Sequence, residues 1–273
     1  VLKGPANLLY GSGAIGGAVN VVDGRIAREV PDRPLSGRAE LRAASGNDER
    51  SGMFRLDGVS GDNLVLHVDG LVRNTGDFDI PGFAQVPEDH DHDHDHDHAH
   101  GDEENAFGTL PNSSIRTRAG AVGATYFGER GHLGVAVSTY RTNYGLPDGA
   151  HVHAEEGGHD HDHDHDHEEE GHDEHGSVRI DMVQNRVDLK GGLYSPLPFL
   201  SALNVRAAYN DYEHVELEGD TPATRFTNKG TEARIEAVQN PIAGWNGAFG
   251  LQIGHVDFGA VGEEAFVPPS VTD

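Results

Sequence analysis

The sequence predicts an all-β chain, a partial transmembrane antiparallel β-barrel, and three observations carry that expectation. Nine segments after residue 36 alternate apolar and polar side chains with a period of two. The connections between them alternate short and long. None of the segments has the apolar spacing of a helix.

The expected strands lie near 37–45, 50–59, 62–75, 113–127, 131–144, 179–194, 200–217, 224–239 and 244–258. In LVLHVDGLVR, Leu64, Leu66, Val68, Gly70 and Val72 fall on one face, and Val65, His67, Asp69, Leu71 and Arg73 on the other. One face is apolar and the other mixed to polar. NRVDLKGGL sets Val187 and Leu189 against Arg186, Asp188 and Lys190. LNVRAAYND sets Leu203, Val205, Ala207 and Tyr209 against Asn204, Arg206 and Asn210. Segment 113–127 is the weakest, because Arg116 and Arg118 share a face with Val122.

Short turns at 61–63, 128–130, 195–199 and 240–244 alternate with connections at 45–51, 76–112, 145–178 and 219–223. In an up-and-down meander, alternate connections share a side, so the two longest belong to one rim and the short turns to the other. Tyr126, Phe127, Tyr194, Phe199 and Trp245 cluster near the short turns. Aromatic belts are expected at membrane interfaces, and ordinary turn-flanking aromatics of a soluble sheet are the competing reading. No window approaches 18 consecutive apolar residues, which excludes a transmembrane helix and leaves a barrel open.

The chain has 273 residues, no cysteine and a formal charge of −26. Without cysteine, histidine and carboxylate are the strong metal ligands available. Residues 88–104 and 155–174 hold 9 and 11 acids with no Lys or Arg, so together they supply −20 of the −26. Charge this local points to a cation as partner and away from nucleic acid. The first residue is Val1 and no signal peptide is legible, so we expect the chain to be a piece of a longer one.

Gly11, Gly13 and Gly16 match G-x-G-x-x-G in form, but no strand-to-helix unit surrounds them and no Gly-Lys-Ser/Thr follows, so a nucleotide site is not expected. VLKGPANLLYGSGAIGGAVNVVD, through Val1, Gly4, Pro5, Leu9, Tyr10, Gly11, Gly16, Gly17, Asn20 and Val21, instead resembles the end of the plug domain of TonB-dependent outer-membrane receptors. In that family a segment V-x-x-G-P-x-x-x-L-Y-G-x-x-x-x-G-G-x-x-N-V precedes the first barrel strand. The resemblance covers the first 23 residues. It implies that residues 1–35 are the C-terminal part of a plug and 36–273 the N-terminal part of a barrel. It also implies a place in a Gram-negative outer membrane, lipid around the barrel, and the TonB complex as energising partner through a plug region not in this sequence. Glycines suit a chain that turns tightly inside a barrel.

The two long connections carry alternating Asp and His. The first offers His90, His92, His94, His96, His98 and His100 with Asp91, Asp93, Asp95 and Asp97. The second offers His151, His153, His159, His161, His163, His165, His167, His172 and His175 with Asp160, Asp162, Asp164 and Asp166. Alternation puts like side chains on one side about 7 Å apart when extended, and a loop can fold several onto one ion. Zn²⁺ takes four such nitrogen and oxygen ligands, and loose repeats without fixed supporting bonds also suit Cu(II), Ni(II) or Co(II). A solvated low-complexity loop with no ligand is the competing reading. The remaining His67, His132, His214 and His255 read as polar lumenal or turn residues rather than ligands.

Receptors of this kind with His-rich external loops resemble the zinc-uptake branch of the family. The expected function is import of a divalent transition metal, zinc foremost, with no organic cofactor. No nucleophile, base and orienting group fall together, so no enzyme is expected. A receptor for a siderophore or other organic ligand, a soluble metal-buffering β-protein and an adhesin-like barrel are the alternatives.

Overall fold

The computed structural model describes residues 2–3, 16–18, 22–85, 105–147, 177–262 and 268–272. The described residues form strands and connections only, so no helix in them is long and apolar enough to cross a membrane. The strands are β1 (Leu2–Lys3), β2 (Gly17–Ala18), β3 (Leu35–Ala44), β4 (Glu49–Ser60), β5 (Leu64–Asn74), β6 (Phe78–Phe83) and β7 (Phe107–Leu110). They continue with β8 (Ile115–Gly128), β9 (Gly131–Gly145), β10 (Val178–Leu197), β11 (Leu200–Glu218), β12 (Thr221–Gln239), β13 (Ala248–Gly262) and β14 (Ser270–Thr272).

One antiparallel sheet of ten strands dominates, in the order β14-β13-β12-β11-β10-β9-β8-β5-β4-β3. Apart from a β6–β7 hairpin inserted between β5 and β8, every neighbour in the sheet is a neighbour in sequence. All nine expected strands are present. The sheet is open: its edges are β3 and β14, and among the described residues no ladder joins them into a closed barrel.

Three differences from the sequence reading have local causes. The connection 76–112 contains the β6–β7 hairpin, which is short and broken in register around Pro81 and Gly82, so it carries no alternation. The strand expected at 244–258 starts at Ala248 because 240–247 makes a wider turn, with an Ile242–Trp245 bridge and positive φ at Ala243 and Gly244. AVNVV at 18–22 also reads as a strand in the sequence; Ala18 pairs with Leu2, Val22 is outside any strand, and 19–21 lie outside the described residues.

Register turns the single-strand patterns into rows across the sheet. One row runs Leu35–Gly58–Leu66–Ala124–Val135–Leu189–Ala207–Ala233–Ile253 over nine strands without a polar side chain. The row below it, from Leu64 through Tyr126, Leu133, Gly191, Val205 and Ile235 to Leu251, is almost as apolar. The row above contains Leu56, Val68, Val122, Val137, Val187 and Tyr209 before turning polar at Thr231 and His255. At about 3.3 Å per residue the three rows span roughly 13 to 17 Å along the strands.

This apolar face is the exposed one. Leu66 is 46 % exposed, Val122 58 % and Ile253 63 %. Val65 and His67, their neighbours on the opposite face, are buried. Residues 23–27 cover that opposite face over four strands: Arg25 bonds to Asp69 of β5, Arg55 of β4 to the carbonyls of Asp23 and Gly24, and Ala27 N–H to Thr125 of β8. Ile26, almost fully buried, lies against Gly134 of β9. A sheet folded against its own apolar core shows the reverse arrangement.

Candidate functional site

The histidines and aspartates of both runs, His90 to His100 with Asp91 to Asp97 and His151 to His175 with Asp160 to Asp166, lie outside the described residues. The structure does describe the stems from which the runs leave. The meander places the β5–β8 and β9–β10 connections at one end of the sheet and the turns at 61–63, 129–130, 198–199 and 240–247 at the other.

The first stem is the β6–β7 hairpin. Ala84 N–H donates to Ala106 O at 2.7 Å, Gln85 N–H to Asn105 Oδ1 at 2.9 Å, and Asn105 Nδ2 to Gln85 O at 2.8 Å. Phe83 and Phe107 pack edge to face with centroids 4.9 Å apart. The chain therefore leaves and re-enters at a closed neck. Below, Asp77 Oδ1 accepts the N–H groups of Ser113 and Ser114, and Asp79 N–H donates to Gly46 O, which ties the hairpin to the rim.

The second stem closes where Leu146 N–H donates to Val178 O at 2.9 Å. Asn112, the residue between the first stem and β8, reaches it. Its Nδ2 donates at 2.7 Å to both Leu146 O and Val178 O, and its Oδ1 accepts from Arg179 Nη1 at 3.1 Å. Arg179 also donates to Asn143 Oδ1 and to Ser114. Asn112 holds φ of 55°, a left-handed conformation that asparagine tolerates better than most residues. One asparagine and one arginine thus link the attachment points of the two runs.

A second polar constellation lies under residues 23–27. His67, its side chain 3 % exposed, sets Nδ1 at 2.7 Å from Asp57 Oδ1 and Nε2 at 2.8 Å from Asp69 Oδ2. Arg55 forks onto Asp57, and Arg25 bonds Asp69 at 2.9 and 3.3 Å. Both His67 contacts are hydrogen bonds when each ring nitrogen carries a proton, or when one carboxyl does. The two nitrogens face different carboxylates, so they do not converge on a point where an ion would sit. Among the described residues no group of three or more His, Asp or Glu is arranged to hold a metal.

This cluster was not visible in the sequence. Arg55/Asp57 and His67/Asp69 are i, i+2 pairs on one face of their strands, which is a signal for local pairing only. Arg25 comes from 42 residues before His67, and nothing in the pattern announces that it lands there. The other lone histidines are placed by aromatics or by the open face. His132 lies between Phe127 and Tyr194 beside a short turn, and His214 stacks on Phe226 with centroids 4.5 Å apart. His255 lies in the outward row of Tyr209.

The described arrangement has a mechanical role. It fixes the attachment points of two acidic, imidazole-rich segments next to each other at one rim, and it clamps residues 23–27 across the polar face with charge-assisted bonds. No protein-family model matches the chain.

Proposed function

We propose that this chain is part of a TonB-dependent outer-membrane receptor that imports a divalent transition metal, zinc foremost. In this reading residues 1–35 belong to the plug and 36–273 to the barrel wall. The observation that carries it is the inverted sheet: three cross-strand rows of apolar side chains exposed on one face, with charged residues and residues 23–27 on the other. A strand wall between lipid and a polar lumen requires that inversion. The exposed aromatics Tyr126, Phe199 and Trp245 at the short-turn end support an interfacial girdle.

The Asp/His runs then lie outside the cell, where they collect cations. Twenty acids attract divalent ions, and imidazoles supply exchangeable ligands. Protons compete for the same nitrogens, so capture weakens as pH falls below about 6.5. The TonB complex supplies the energy that moves the plug, and the clamp around His67 is a bond set that this movement has to break.

Zinc accumulation by cells carrying the full-length protein tests the reading. Uptake at low external zinc is expected to depend on the TonB complex and to fall when the histidines of both runs are replaced by Ala. Recovery of the protein in the soluble fraction, or uptake of a ferric chelate with none of zinc, would overturn it. A titration of the 86–106 and 149–178 segments showing no Zn²⁺ binding at neutral pH would remove the collecting role alone.

A further inference from the structure

Above the apolar band, the outward face becomes basic on neighbouring strands only. Arg50 of β4, Arg116 and Arg118 of β8 and Arg141 of β9 all fall on this face and all are exposed. Register sets Arg118 directly opposite Arg141. Among the described residues neither guanidinium has a carboxylate in ion-pair range. Like charges opposed across a ladder destabilise it, so the pair has no purpose within the sheet itself. Farther along, the outward face carries both signs: Asp211 lies opposite Lys229, which lies opposite Asp257.

Immediately beside this pair is a trough of about 360 Å³. Gly52, Gly70 and Gly120 form its floor, Phe54 and Val72 its walls, and Arg118 and Arg141 its basic end. The Phe54 ring leans over Gly70, 2.6 Å from where a Cβ would be. Gly70 and Gly120 are register partners and Gly52 lies diagonally beside Gly70, so three glycines remove the side chains that fill the face elsewhere. The result is an apolar channel that ends at two adjacent guanidinium groups with no carboxylate partner among the described residues.

We propose that this outward trough binds one phosphate-bearing amphiphile, its phosphate on Arg118 and Arg141 and its acyl chain along the glycine floor. Guanidinium groups match phosphate oxygens in paired hydrogen bonds, and a bound phosphate relieves the repulsion between the two arginines. A soluble anion would use the arginines but has no use for the trough; an uncharged lipid would use the trough but not the arginines. The inference rests on the membrane placement proposed above, which sets the upper end of the band at head-group level.

The test reconstitutes the full-length protein in phosphatidylcholine vesicles containing a small fraction of phosphatidic acid. Flotation of the protein with the vesicles is scored first, and lipid retained after detergent extraction second. One phosphatidic acid is expected per protein chain, with retention reduced about tenfold in the double variant Arg118→Gln/Arg141→Gln and unchanged in Lys229→Gln. Diacylglycerol of the same acyl chains is expected not to be retained, and inorganic phosphate not to compete at millimolar concentration. Equal retention of diacylglycerol, full competition by inorganic phosphate, or unchanged retention in the double variant would overturn the proposal. Flotation without retention removes this site and leaves the membrane reading standing; failure to float removes both.

Discussion

The two faces of the ten-stranded sheet are built from the same strands, one residue out of step, and they follow opposite rules. On the outward face Val122 and its row neighbours Val68 and Val137 are exposed and make no polar contact. On the other, Gly123 and its pair partner His67 lie under the backbone of residues 23–27 among two arginines and two aspartates. The difference shows where each face gets its stability. The polar face obtains it from bonds within the chain, whereas among the described residues nothing covers the apolar face, which in the proposed reading depends on the lipid around it.

Placing a charge in the middle of the outward face tests that dependence with the largest effect. Val135→Arg, in the middle one of the three apolar rows, is expected to cost about 2–4 kcal/mol when the protein is folded in lipid vesicles, as arginine does at the midplane of a lipid-facing wall. The same change at an exposed position of a water-soluble sheet costs at most about 0.5 kcal/mol. Denaturant titrations in vesicles, with midpoint and slope compared to the parent chain, decide between the two. A shift within the smaller range would end the claim that lipid covers this face.

The companion change on the covered face is Gly123→Ala. A Cβ there meets the Arg25 carbonyl, a backbone atom with no freedom to swing aside. Residues 23–27 are expected to lift, losing the Arg25–Asp69 and Ala27–Thr125 bonds, at a cost of about 1–3 kcal/mol. Faster trypsin cleavage after Arg25 and Arg28 is the readout. Asp69→Asn, which removes a charge from the same clamp without adding bulk, is expected to speed cleavage less. Gly70→Ala on the outward face meets only the Phe54 ring, a side chain that can rotate, so it should leave cleavage unchanged. Equal cleavage in all three variants and the parent chain would show that the clamp does not hold the segment.

The contrast between the faces was legible in the alternation itself, while its direction rested on the barrel expectation. Period-two alternation separates Leu66 and Val68 from Val65 and His67 whatever surrounds the sheet. Which set is buried depends on what lies against each, and that takes Arg25 and Ile26 arriving from outside the pattern. Arg116 and Arg118 illustrate the same point. In one strand they blur the face they share with Val122, but across the sheet Arg118 is two rows above it, beyond the apolar band. The β6–β7 hairpin escaped notice because Pro81 and Gly82 interrupt any alternation, and β14 because three residues are too few to show one. Asn112 offered no sequence signal beyond its type, since its role comes from carbonyls 34 and 66 residues away.

The smallest effect concerns the lower border of the apolar face, where Trp245, the single tryptophan of the chain, is 78 % exposed in the 240–247 turn. Its indole pairs an apolar body with one N–H donor, a combination that favours the boundary between hydrocarbon and water. Because no other tryptophan contributes, its fluorescence reports this one place. In vesicles, bromine attached near the lipid head group is expected to quench Trp245 more strongly than bromine at mid-chain. Trp245→Ala is expected to change folding stability by less than about 1 kcal/mol, since one residue of a girdle is lost and the turn keeps its Ile242 bridge. Stronger quenching from mid-chain would place the turn too deep for the border drawn here. Absence of quenching at both depths would detach the short-turn end from lipid and reduce the contrast between the faces to one of composition.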